Sequence, residues 1–304
     1  MPVAIDEVRL SFSPTALNVL NVILGLIVFG VSLGIKTKDF KVLTQSPKPF
    51  FVGVISQFLL FPAFAFLVVL IAKPQPSIAL GIILVAACPG GNISNFMTQQ
   101  ARGNVPLSIA MSSFSTAIAT IMTPFNVAFY GSKIPGTHTL MQDISLNPVE
   151  MFFLILVLML LPLTLGIIIS NKYPVFASKL KKFMTAFSLI FFGAFLLFAI
   201  ISNLKYFQHF KGIVCISVIF LNLMAYVIGY SFAKIVGVSE ENRRAVAIET
   251  GIQNSGLGLI LIFNFFEGLG GMALIAAFWG IWHIFSGLLL STYWSKKPII
   301  STTS

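Results

Sequence analysis

One carboxylate lies where a carboxylate is costly. Of nine Asp and Glu residues, Glu249 alone falls well inside an apolar stretch, in AIETGIQNSGLGLI. A charge at the bilayer centre costs about 2.5–3.5 kcal/mol on insertion scales. No Lys or Arg is expected inside a span to pair with it. A bound cation is the economical partner, and a protonated Glu249 hydrogen-bonded to a neighbouring helix is the other reading. A monovalent hard cation takes several oxygens and little net charge. Ser94 and Asn95 carry such oxygens, as do Ser108 and Ser112, four apart on one helix face. Gln57 is a lone amide in another apolar stretch. Unwound backbone would free carbonyls around Glu249, Thr250, Ile252 and Gln253. For any single Ser the alternative is a bond to its own i−4 carbonyl, or small-residue packing. Calcium is disfavoured, because one carboxylate is thin for a divalent ion.

A second constellation reads VAACPGGNISNFMTQQARGN, from Val85 to Asn104. Pro89 removes a donor, and Gly90 and Gly91 release the backbone. A half-helix beginning near Asn92 and Ile93 then starts inside the protein with unsatisfied N–H groups, which attract an anion. Gly251 and Asn254 offer a similar break. Two such starts crossing at the midplane put an anion site beside a cation site; a simple proline kink is the alternative. His283, in WHIFSGLLLSTYW, either faces the cavity or is packed with one hydrogen bond. His138 and His209 lie near span ends and imply no metal site.

These residues need elements to hold them, and the composition names the kind. The 304 residues are 57% hydrophobic and 9% charged, with mean hydropathy +0.96. Soluble domains are about 25% charged. The pattern is that of an all-α polytopic membrane protein. Nine apolar windows predict nine transmembrane helices, near 15–35, 49–72, 77–101, 105–130, 148–170, 180–203, 211–236, 242–266 and 270–294. Residues 89–95 and 249–255 interrupt helices 3 and 8, each read as two half-helices. Of the 19 Lys and Arg, 14 follow helices 1, 3, 5, 7 and 9, while Arg9, Lys73, Lys133, Lys205 and Lys211 lie opposite. Positive residues favour the cytoplasm, so the N-terminus is expected outside and the C-terminus inside, in the cell (inner) membrane. The net charge of +10 then reflects orientation, not a nucleic-acid partner. No signal peptide is expected, and Cys88 and Cys215 give no disulfide framework or metal spacing.

The two interrupted helices are five apart, an odd offset. That predicts inverted repeats, the second spanning helices 5–9 and the first lacking its opening helix, with binding where the broken helices cross. No GxxxxGK[ST] motif points to ATP. No HExxH and no paired intramembrane carboxylates point to an enzyme.

CPGGNISN, ETGIQNSG, ARGNVPLSIAMSSFST and WHIFSGLLLSTYW resemble the crossover motifs and following helices of the bile acid:sodium symporter family, from about Leu17 to Trp294. Nine helices resemble its animal members, whereas bacterial members often have ten. The resemblance implies an N-terminal segment, 1–14, and a transporter domain, 15–304. In that domain a core of helices 2–4 and 7–9 (49–130 and 211–294) rocks against a panel of helices 1, 5 and 6 (15–35 and 148–203). It implies one sodium site at Ser94, Asn95, Ser108, Ser112 and Glu249. A second falls at Gln57, Glu249, Thr250, Ile252 and Gln253, with Thr250 and Ile252 acting through carbonyls. Substrate contacts fall at Asn92, Ile93, Asn254 and His283. Ile284 stands where some bacterial relatives have Asn. The expected function is sodium-coupled symport of an organic anion, bile-acid-like or a smaller carboxylate. The expected partners are sodium, that anion and the lipid bilayer, with no cofactor beyond the coupling ions. A cation/proton antiporter using Glu249, an intramembrane enzyme, and a receptor or channel are the alternatives.

Overall fold

The structure, a computed structural model, describes residues 5–9, 14–37, 41, 47–91, 93–137, 140–141, 147–202, 204–297 and 299. Prolines open many of its helices, because the first helical position needs no N–H and wants φ near that of proline. Pro14 opens α1 (Pro14–Ser32), Pro47 opens α2 (Pro47–Ala72) and Pro76 opens α3 (Pro76–Ala87). Then come α4 (Ile93–Gln100), α5 (Val105–Gly131) and α6, which runs Pro148–Ile155, Leu156–Leu160 and Leu161–Lys172. The chain continues through α7 (Pro174–Ser202), α8 (Leu204–Ile235), α9 (Glu240–Gly251), α10 (Ser255–Phe265) and α11 (Gly270–Ser295). Among the described residues there is no strand, only two isolated bridges.

Two helices widen into π turns, at Ser56–Leu60 in α2 and Leu156–Leu160 in α6. Each turn is closely followed by a proline, Pro62 or Pro162, whose ring would clash with the carbonyl four residues back. In α2 that carbonyl, on Phe58, accepts instead from Asn126 Nδ2 at 3.0 Å. The widened turn carries Gln57.

Among the described residues, five helices are by themselves long and apolar enough to cross a bilayer. The 12 residues of α3 reach about 18 Å at 1.5 Å each, against a hydrocarbon core of about 30 Å. The 11 residues of α10 reach less. Every residue from Ser77 to Ala87 is buried, as are Ser255 to Phe263. Helices apolar all round belong at the centre of a protein, and these two are central. α11 packs along α3, α8 along α9, and α1 against α6 and α7. The short N-terminal turn Ile5–Glu7 docks here too: Asp6 Oδ1 accepts from Ser77 N at 2.8 Å and caps α3.

The helix limits depart from expectation in four places. The first break is confined to the residues between α3 and α4, so Ser94 and Asn95 are helical. The second break spans only Ile252–Asn254, which leaves Glu249 and Thr250 in the last turn of α9. There Ile252 N still reaches Ile248 O at 2.9 Å, so the helix holds until Gly251. α7 starts at Pro174 rather than 180, and α8 at Leu204 rather than 211. Lysines mark the edge of the hydrocarbon, not the end of hydrogen bonding, and a helix continues past it into water. Finally, Arg244, one of the positive residues counted on the cytoplasmic side, is not solvated. It lies in α9, 2% exposed. Its guanidinium meets Glu240 Oε1 at 3.0 Å and donates to the carbonyls of Ala101 (2.9 Å) and Trp294 (3.1 Å). This charge fastens the start of α9 to the ends of α4 and α11.

Candidate functional site

The two breaks are bonded to each other. Gly91 N donates to Ile252 O at 2.7 Å, and Asn254 N donates to Pro89 O at 2.9 Å. Gly90 and Gln253 thereby pair as a one-residue antiparallel bridge. Buried backbone acceptors need donors, and side chains from neighbouring helices supply them. Ala87 O accepts from Thr123 Oγ1 (2.8 Å), Cys88 O from Gln57 Nε2 (2.9 Å) and Gly251 O from Asn222 Nδ2 (2.7 Å).

Beside this crossing lies Glu249, 2% exposed. Its Oε2 accepts from Ser94 Oγ at 2.6 Å and Ser108 Oγ at 3.4 Å; its Oε1 accepts from Ser112 Oγ at 2.8 Å. Ser112 Oγ also lies 3.3 Å from Ser94 Oγ and 3.4 Å from Asn95 Oδ1. All five residues expected at the first ion site are thus one cluster. It holds six oxygens but only three hydroxyl hydrogens to place between them. That is a donor set with one negative charge and surplus lone pairs, which suits a monovalent hard cation. A Cβ on Gly90 would push into the Glu249 carboxylate and displace it from its serine partners. Thr98, absent from the sequence reading, extends the cluster through its hydroxyl to Ser108 Oγ at 3.3 Å. Its only sequence signal was a hydroxyl one turn beyond Ser94.

The second group gathers on the other side of Gly90. Gln57 Nε2 donates to Gln253 Oε1 at 2.9 Å, and Gln253 Nε2 donates to Thr250 O at 2.7 Å. Thr250 Oγ1 is spent on Val246 O, so only its carbonyl faces this group. Gln57 Oε1 is buried without a hydrogen-bond partner among the described residues. A buried acceptor left so costs about 1–3 kcal/mol, and a cation would satisfy it. Cys88, whose carbonyl joins this group, could not be picked from sequence, since a backbone oxygen carries no sequence signal.

The expected substrate positions are spread around the crossing. Asn92 lies outside the described residues. Ile93 packs in an apolar cluster with Met97, Tyr226, Ile252 and Ile284. Asn254 caps α10, its Oδ1 accepting from Leu257 N at 3.0 Å. His283 is 4% exposed, and its Nδ1 has no partner among the described residues.

Two interrupted helices crossing beside a buried, hydroxyl-lined carboxylate are the architecture of a polytopic secondary transporter. Residues 21–210 match the Sodium Bile acid symporter family, and the chain belongs to that family. It is 33% identical over 279 residues to the uncharacterized sodium-dependent transporter YocS of Bacillus subtilis, covering 91% of this chain and 83% of that one. It is 29% identical over 268 residues to a probable chloroplastic sodium/metabolite cotransporter, BASS1, of Arabidopsis thaliana, covering 88% of this chain but 64% of the plant protein. It is 27% identical over 273 residues to the sodium-dependent organic anion transporter of Mus musculus, covering 88% of this chain and 71% of that one.

Proposed function

We propose that this chain is a sodium-coupled symporter of an organic anion, working by alternating access. The observation that carries it is the Glu249 cluster: a buried carboxylate ringed by three serine hydroxyls, next to a second group with an open amide oxygen. Sodium-dependent relatives support the identity of the ion. In this reading one sodium sits among Ser94, Asn95, Ser108, Ser112 and Glu249. A second is held by Gln57, Gln253, Glu249 and the carbonyls of Thr250 and Ile252. Each contributes drive through concentration and through membrane potential, about 2.3 kcal/mol per charge per 100 mV. The anion binds at the crossing, where α4 and α10 begin.

The reciprocal bonds Gly91–Ile252 and Asn254–Pro89 support an inverted repeat about that crossing. The packing of α1 on α6 and α7 supports a panel that moves against the rest. Counting each broken pair once gives nine spans, with the N-terminus outside. Cysteines substituted for Ser132 and Ser178 check this. An impermeant thiol reagent on intact cells should label the first and reach the second only after permeabilisation. Labelling of both in intact cells, or the reverse pattern, refutes the orientation.

Uptake into proteoliposomes tests the function. A panel of labelled carboxylates should include one that accumulates against its gradient when sodium is high outside, and stops when sodium is equalised or replaced by potassium. Accumulation driven by a proton gradient without sodium would point instead to proton coupling through Glu249. Flux that never exceeds equilibrium would make the protein a channel.

A further inference from the structure

Three carbonyls follow one another where α9 ends, on Thr250, Gly251 and Ile252. The outer two are the ones assigned to the second sodium, so this inference rests on that assignment. The middle one governs them. A peptide group is planar and rigid, so the direction of Gly251 C=O fixes the plane shared with Ile252 N and limits how both neighbours turn. Glycine is the residue whose peptide flips most readily. Yet this position has to be glycine, because a Cβ would strike the ring of Tyr226. Packing has therefore placed the most pliable backbone unit between the two carbonyls assigned to the second sodium, and something else must hold it.

We infer that Asn222, on α8, is the positioning residue that locks this peptide for sodium binding. Asn222 is fully buried, in an otherwise apolar part of α8. Its Nδ2 donates to Gly251 O at 2.7 Å. The other end of the same peptide is pinned by Ile252 N to Ile248 O at 2.9 Å. The amide is itself held: Ser286 Oγ donates to Asn222 Oδ1 at 2.6 Å, and Ser286 lies 3.2 Å from Tyr226 OH. Both functional ends of Asn222 are thus committed, which makes it a clamp rather than a ligand.

The opposite break shows the contrast. Pro89 and Ile252 accept equivalent bonds across the crossing, so Cys88 is the counterpart of Gly251. Cys88 O is held by the amide of Gln57, on α2, at 2.9 Å. Gln57 is therefore to Cys88 what Asn222 is to Gly251. The difference lies in the second end of each amide. Gln57 Oε1 is open, whereas Asn222 Oδ1 is closed by a hydroxyl. The residue two before Gly251 is Glu249, and the residue two before Cys88 is Ala86. The Gly251 side of the crossing thus carries the carboxylate, and the Cys88 side carries the open oxygen.

The test is sodium titration of uptake, with the anion saturating, in full-length protein carrying Asn222→Leu or Ser286→Ala. Leucine keeps the branched shape and deletes both hydrogen bonds. The sodium concentration for half-maximal uptake should rise about tenfold in Asn222→Leu, the scale of one lost buried hydrogen bond, and about threefold in Ser286→Ala, which only loosens the clamp. The anion KM at saturating sodium should not move. A purely structural role would instead lower the amount of folded transporter and its maximal rate at unchanged sodium dependence. On a Gln57→Ala background Ser286→Ala should add no further shift, since the ion it serves is already compromised. Should Asn222→Leu fail to fold, Ser286→Ala decides alone. Wild-type sodium dependence in a well-folded Ser286→Ala, or full additivity with Gln57→Ala, overturns the clamp. Absence of sodium dependence in the unmodified protein overturns the symporter reading instead.

Discussion

Glu249→Ala is expected to abolish sodium-driven uptake, whereas Ser108→Ala combined with Ser112→Ala should only weaken it. Glu249 is the charged member of the first group and, in the proposed assignment, shared with the second. Removing it leaves Ser94, Ser108 and Ser112 as a few neutral oxygens, which without the carboxylate leave the charge of a buried cation uncompensated. Both ions are then lost together, and uptake should fall at least about 100-fold, the scale of an uncompensated buried charge of roughly 3–5 kcal/mol. The double serine variant keeps the charge and the Gln57 group. It should raise half-saturating sodium about tenfold, and the Hill coefficient, expected above one in the unmodified protein, should fall toward one. Glu249→Gln separates charge from shape: its one amide oxygen keeps part of the serine hydrogen bonding while its NH2 only donates, and it should be as inactive as alanine. Sodium-driven accumulation at the normal rate by Glu249→Ala or Glu249→Gln would show a neutral, structural glutamic acid and remove the cation reading.

How much of this site could be read beforehand depends on what makes a residue conspicuous. Glu249 stood out because its chemistry contradicts its surroundings, and any partner it has must come to it. Ser94, Asn95, Ser108 and Ser112 were legible as a group, through helical spacing and proximity to the breaks. The breaks themselves were legible because proline and paired glycines disrupt hydrogen bonding wherever they fall. Their narrow extent was not, because it depends on bonds such as Gly91 N to Ile252 O between segments 161 residues apart in sequence (252 − 91). Arg244 reads in sequence as one more positive residue at a membrane edge. Only the tertiary fold brings Ala101 O and Trp294 O to its guanidinium. Asn222 carried the same signal as Gln57, a lone amide in an apolar helix. Neither has a break beside it in sequence, and Gly251 approaches Asn222 only in the folded chain.

An acid is expected to bind far more tightly than its neutral amide, and sodium is expected to widen the gap. The starts of α4 and α10 bring N–H groups and aligned peptide dipoles to the crossing, which favour negative charge. Asn254 satisfies Leu257 N from within. Polar capacity nevertheless remains: Ser255 Oγ and His283 Nδ1 are buried without hydrogen-bond partners among the described residues. A carboxylate reaching such donors gains charge-assisted hydrogen bonds of about 1.5–3 kcal/mol each, so the acid should bind about 10- to 100-fold tighter than the amide. Glu249 works against this while bare, because its charge repels the anion. Bound sodium cancels that repulsion. The anion should therefore tighten sodium binding by the same factor by which sodium tightens the anion, as linkage requires. Around the crossing, Ile93, Met97, Ile252 and Ile284 form an apolar wall. Apolar carboxylates should accordingly outcompete heavily hydroxylated ones, whose hydroxyls would be buried there without partners. Calorimetric competition among matched acids, amides and hydroxy acids, at zero and at saturating sodium, measures all three effects. Equal affinity for acid and amide would leave the two half-helix starts without an anion to hold. Equal anion affinity with and without sodium would uncouple the two sites, and with them the alternating-access cycle built on Glu249.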